Sequence, residues 1–184
     1  MKEKTCCFTG HRKIIAPIDD VQHILYTTIE KLINSGVIYY GAGGALGFDR
    51  LAALTVIKLR NIYPYIKLIM VLPCKEQTQG WRNEDVEIYN YILRQADKVV
   101  YTSEKYYPGC MHKRNRHLVD NSSHCVCYLE KSTGGTAYTV IYANQAGLKI
   151  YNMANELNKW YINGVVPCLS KMIILIKKLN LMNI

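Results

Sequence analysis

The sequence predicts an α/β fold of three layers, α/β/α, with helices covering both faces of a mostly parallel sheet. Two observations predict it. Short β-rich runs alternate with segments of helical periodicity along most of the chain, the order that builds βαβ units. Glycine-rich stretches stand directly after strands and directly before helices, where doubly wound sheets gather their ligands. The expected arrangement is Rossmann-like.

The elements follow in order. Residues 5–9 form a compact apolar run ending at Gly10, the first strand. Residues 18–35 set Val21, Ile24, Leu25, Ile29, Leu32 and Ile33 at helical spacing, and Gly36 stops the helix. A second strand at 37–40 leads into the loop Gly41-Ala42-Gly43-Gly44-Ala45-Leu46-Gly47, and a helix over 48–61 follows. Residues 66–72 are nearly all aliphatic, as a strand covered on both faces must be, and Pro73 ends it. A helix over 83–95, a strand over 98–101 and a polar, basic helix over 111–121 come next. The strand 124–129, the turn Ser132-Thr133-Gly134-Gly135, a helix over 136–146 and a last strand at 149–151 complete the alternation.

From Asn155 the pattern changes, which separates a domain over residues 1–154 from a helical tail over 155–184. In the tail Leu169, Met172, Ile173, Ile176 and Leu179 recur at helical spacing, with Lys171, Lys177 and Lys178 between them. Such a helix suits docking on the sheet, an oligomer contact or a membrane surface. The longest uncharged stretch is too short, and too broken by Gly164 and Pro167, to span a bilayer.

The 184 residues are enough to bury one real core, and with 49% hydrophobic and 20% charged residues the composition excludes a disordered chain. Seven cysteines are an odd number, several lie in apolar runs, and no secretory signal precedes the first strand. The expectation is reduced, buried thiols in a cytoplasmic protein. Cys125 and Cys127 alternate with Val126 and Tyr128 on one strand, and no second pair stands at ligand spacing, so no metal site is expected. The formal charge of +9 favours anionic partners: a nucleotide, a phosphorylated small molecule or nucleic acid. The basic residues are dispersed, so charge alone is a weak case for nucleic acid.

Three motifs carry the chemistry. Thr9-Gly10-His11-Arg12 follows the first strand; Gly10 permits close approach of backbone to ligand, Arg12 is a bidentate partner for phosphate, and Thr9 adds a hydroxyl. An ordinary turn with a solvated His-Arg pair would read the same way. In the second motif, Gly43, Gly44, Ala45 and Gly47 leave backbone amides accessible before a helix whose positive end faces an anion. It lacks the register of a dinucleotide fingerprint and the lysine of a P-loop. Asp49, on the helix's first turn, serves either as a cap or as a ligand contact. The third motif pairs Lys113, Arg114 and Asn115 with Thr133, Gly134, Gly135 and Thr136 on either side of one strand, a basic helix face opposite a glycine-rich helix start. Pro73, Arg82 and Glu84 are expected to wall the pocket, and Trp81 either stacks on a base or packs.

Cys6-Cys7-Phe8-Thr9-Gly10-His11-Arg12, followed by Gly43-Gly44-Ala45-Leu46-Gly47-Phe48-Asp49, resembles the YpsA-like family of bacterial proteins, in the SLOG superfamily of Rossmann-like domains. The resemblance covers roughly residues 4–152 and implies a parallel sheet with a site for a nucleotide or nucleotide-derived ligand. Met111-His112-x-Arg114 with a later Gly-Gly-Thr turn is more distantly similar to the lysine-decarboxylase-like LOG proteins, phosphoribohydrolases with the pattern M-H-x-R-K and then P-G-G-x-G-T-x-x-E. Asn115 replaces their lysine, and Thr139 falls where their glutamate stands. Cleaving an N-glycosidic bond needs a carboxylate to stabilise positive charge or activate water, which a threonine hydroxyl cannot do.

The leading reading is therefore a domain that binds a nucleotide-like ligand as a sensor or regulator, with no separate cofactor. The first alternative is an N-glycosidase or phosphoribohydrolase. The second is a single-stranded DNA-binding protein, since the DprA family of DNA-processing proteins carries a SLOG-type domain. Self-association through the tail or the sheet-flanking helices is the expected oligomer contact.

Overall fold

The structure is a computed structural model and describes residues 1–162. Six strands form one wholly parallel sheet: β1 (Thr5–Gly10), β2 (Tyr39–Ala42), β3 (Lys67–Leu72), β4 (Lys98–Tyr101), β5 (His124–Tyr128) and β6 (Lys149–Asn152), in the order β4-β3-β2-β1-β5-β6. The helices are α1 (Ile18–Asn34), α2 (Phe48–Arg60), α3 (Asn83–Gln95), α4 (Cys110–Asp120), α5 (Gly135–Gln145) and α6 (Met153–Ile162).

The chain first steps outward from β1 to β4 and then returns past β1 to β5 and β6. With crossovers of one hand, that reversal sends the helices to the other face. Accordingly α1, α2, α3 and α6 pack with one core cluster, built on Phe8, Leu25, Ile29, Leu68 and Met70. The other face is thinner: Leu118 and Val119 of α4 and Ala143 of α5 cover Cys7, Val71, Cys125 and Cys127. Six cysteines are free and buried among the described residues. No described helix is long and apolar enough to cross a membrane.

Two boundaries differ from the sequence reading for identifiable reasons. Residues 37–40 read as the second strand, but the Val37 amide donates to the Leu32 carbonyl at 3.0 Å and closes α1. The strand starts two residues later and takes in Gly41 and Ala42, which read as loop. A Cβ on Gly41 would lie 2.9 Å from Cδ2 of Leu118, so the glycine lets α4 lie close against β2. At the other end, α6 runs across the expected boundary at 154/155, and its Met153, Ala154 and Leu157 are buried in the larger core. The periodic segment 169–179 lies outside the described residues.

Candidate functional site

Because all six strands are parallel, every strand-to-helix turn of the three motifs lies at one rim. The helices after β1 and β5 leave to opposite faces, which opens a crevice between those neighbouring strands at the switch point. His11 bridges it. Its amide donates to the Tyr128 carbonyl at 3.2 Å, and its Nε2 accepts the amides of Glu130 at 3.1 Å and Lys131 at 3.2 Å. A ring nitrogen that accepts carries no proton, so His11 is here the Nδ1–H tautomer. Above it Tyr128 accepts the Ala16 amide at 3.3 Å and donates to Glu130 at 2.9 Å. His11 thus ties the first motif to the second glycine-rich turn.

The first glycine-rich turn is packed shut. A Cβ on Gly10 would meet Phe48 at 2.5 Å, and one on Gly47 would run into the backbone of His11 and Arg12. Gly47 also has φ +77°, which an L side chain adopts only at a cost. Gly44, buried, stands against Leu72 and Tyr89. At Gly43 the missing side chain leaves room for the guanidinium of Arg114 from α4. Arg114 Nη1 and, at 3.0 Å, Gln77 Nε2 both donate to the Gly43 carbonyl.

This corner is a buried charge cluster. Arg114 is 5% exposed, as is Asp49, and Nη1 stands 3.8 Å from an Asp49 oxygen. Burial pushes the Asp49 carboxyl up to about 6, against the pull of Arg114, the amides of Ala45 and Gly43, and Arg12. Burial lowers the Arg114 pKa from its ordinary value, with Asp49 opposing. Nη1 of Arg114 is committed, but Nε has no partner and Nη2 meets only the Met111 sulfur at 4.0 Å. Gln77 Oε1 is likewise buried without a partner. A carbonyl can only accept, so Gln77 must turn its nitrogen to Gly43 and its oxygen away.

The second turn is open. Thr133, Gly134 and Gly135 are exposed, Thr136 is half-buried, and a Cβ on either glycine would meet nothing within 4 Å. Gly134 precedes α5, whose first bond runs from the Tyr138 amide to the Gly134 carbonyl at 3.0 Å. The amides of Gly135, Thr136 and Ala137 belong to the first turn of a helix and have no intrahelical acceptor. Asn115 joins this turn to α4 by donating to the Thr139 hydroxyl at 2.8 Å; that hydroxyl donates onward to the Gly135 carbonyl at 2.7 Å.

The structure therefore brings together Thr9, Gly10, His11, Arg12, Gly43, Gly47, Asp49, Arg114, Asn115 and the 133–136 turn. Thr9 is buried at the end of β1, and the Arg12 side chain is exposed, close enough to act on Asp49 and Arg114 electrostatically. Pro73 is buried beyond β3, and Arg82 is exposed and paired with Asp85 at 3.1 Å. Its partner Asp85 lines a different place, a small cavity between α2 and α3 with Gly44, Asp49, Arg50, Trp81 and Tyr89. There Trp81 packs edge-on to Tyr89 at 5.6 Å, and Arg50 is already paired with Asp85 at 2.6 Å. With its cation neutralised and its floor of Ala53, Met70 and Ile92, that cavity is a poor anion site. Sequence reasoning missed Gln77 and Tyr128; only their positions, one just beyond a strand and one at a strand end, could have signalled them.

The doubly wound sheet, with its turns at one rim and a buried arginine between them, defines a Rossmann-like α/β domain. Solved structures of DNA processing protein A share this fold. The protein from Helicobacter pylori is 19% identical with a TM-score of 0.59, over 86% of this chain and 73% of that one. That from Streptococcus pneumoniae is 16% identical with a TM-score of 0.58, over 82% of this chain and 50% of that one. At such identities the likeness is one of fold. The YspA SLOG family model matches residues 6–159, and the chain belongs to that family. UPF0398 proteins of Bacillus thuringiensis (strain Al Hakam) and Bacillus cereus (strain AH187) are each 27% identical over 133 residues, 71% of this chain and 72% of theirs.

Proposed function

We propose that this chain binds a nucleotide or nucleotide-derived anion at the carboxyl rim, as a sensor or regulatory domain. The observation that carries the reading is Arg114: a buried guanidinium whose Nε, and in effect Nη2, stay uncommitted, next in the chain to Asn115, which bonds Thr139 of the helix with the open start. Those two donors form the planar fork that matches phosphate or carboxylate, and low dielectric strengthens the attraction. The amides at the start of α5 supply neutral donors to the same anion. Thr139, whose hydroxyl is engaged with Asn115 and Gly135 at the place where the LOG pattern has a carboxylate, supports binding without turnover.

The test is thermal shift with nucleoside monophosphates and ADP-ribose, paired with chromatography for released base. A bound ligand raises the melting temperature by mass action, and the nucleotide should be recovered intact. Gly135→Asp is the discriminating variant. It fits the open turn and suits a helix start, yet sets a negative charge where the anion would sit. It should fold and lose the shift. No shift across the panel would refute binding, and base release abolished by Arg114→Ala would replace the sensor with an enzyme.

A second reading, single-stranded DNA binding, is favoured by the +9 charge and by the fold shared with the H. pylori protein, whose structure concerns its single-stranded DNA binding mode. It predicts affinity that falls steeply with salt.

A further inference from the structure

The outer surface of α4 and α5 takes no part in the rim site. α5 carries no charged side chain, yet it is not a buried helix: Tyr138 and Ile141 are 37% and 56% exposed. Tyr138 lies parallel to Tyr142, with centroids 6.5 Å apart and 3° between the rings. The His112 ring stands edge-on to Tyr138 at 4.6 Å. Rings held in this way offer flat apolar area at little entropic cost. On α4 the exposed Arg116 is close enough to Tyr142 to act on it electrostatically, and exposed Lys113, three residues earlier, is its neighbour on the helix surface. Asp120, the one acid of α4, accepts the Tyr142 hydroxyl at 2.8 Å and so helps hold that ring.

Two kinds of partner suit an exposed aromatic face, a second copy of the chain and a polyanion bearing planar bases. A second copy of this face would meet the same excess of Lys113 and Arg116 over Asp120, whereas a polyanion meets it with opposite charge. Charge decides for the polyanion. We propose that the α4–α5 face binds single-stranded nucleic acid, with a base stacked on Tyr138 and phosphates on Lys113 and Arg116. Single strands are favoured because their bases have free faces for stacking. The inference rests on the second reading above and is independent of the nucleotide reading.

Fluorescence anisotropy of a labelled thymidine oligonucleotide with the full chain tests it. Binding should weaken with salt, and Lys113→Glu or Arg116→Glu should each flatten that dependence by about one phosphate contact. Tyr138→Ala should loosen binding roughly 5- to 100-fold, the loss of one base stack, while Tyr138→Phe retains it. Tyr91→Ala, an exposed tyrosine of α3 on the opposite face, should change nothing. If no oligonucleotide binds at low salt, the second reading falls and this surface with it. If the chain binds but Tyr138→Ala and Arg116→Glu bind equally well, the strand lies elsewhere and only this surface is refuted. A dimer in sedimentation that Tyr138→Ala dissolves would assign the face to a second copy and overturn the proposal.

Discussion

The two glycine-rich turns carry the same sequence signal and use it in opposite ways. In the turn after β2 the space beside each glycine is taken: by Arg114 at Gly43, by Leu72 and Tyr89 at Gly44, and by the His11–Arg12 backbone at Gly47. In the turn after β5, Gly134 and Gly135 border open space. The first turn needs glycine so that neighbours can close on it. The second leaves its amides exposed to whatever binds. A cluster of glycines at a strand-to-helix junction therefore reports close approach by something, and only the fold says whether that is the protein itself or a partner.

Substitution should separate the turns most sharply. Gly47→Ala combines a strained backbone with a backbone clash and should cost about 3 kcal/mol, read from a denaturant midpoint. Gly135→Ala, with ordinary φ and free space, should stay within about 0.5 kcal/mol. Next in size is the charge cluster that seals the first turn. Arg114→Met leaves Asp49 buried without its partner and should cost roughly 2–3 kcal/mol. Part of that should return in the double variant with Asp49→Asn.

Acidity tests the same cluster. The folded pKa of Asp49, about 6, lies above its ordinary value of 3.8, so the folded state holds this proton more tightly than the unfolded state does. Its contribution is full below pH 3.8, is lost as pH rises toward 6, and is flat above. Asp49→Asn should remove that part of the slope in a pH series of melts. A small effect is expected at the bridge between the regions. His11→Ala should cost under about 1 kcal/mol, since water can replace the ring at exposed Glu130 and Lys131. Hydrogen exchange at those two amides should nonetheless accelerate.

Much of this architecture was legible in the sequence. The helix at 83–95 and the strand at 98–101 fall where periodicity and β-branched residues put them. The parallel sheet followed from alternation alone. What misled was local: Val37 looks like strand but finishes the turn out of α1, and Gly41 looks like loop but makes room for Leu118. Within the candidate site, proximity of the motifs was readable from their place after strands. Their division of labour was not. That His11 would accept two amides, or that Arg114 would reach across the sheet end to Gly43, depends on contacts far apart in the chain.

The claim that the second turn is the receiving one can be measured at its own amides. In a nitrogen–proton correlation spectrum titrated with adenosine monophosphate, Gly134, Gly135 and Thr136 should shift progressively while Gly44 and Gly47 stay still. Shifts confined to Gly44 and Gly47, with the 134–136 amides unmoved, would contradict it.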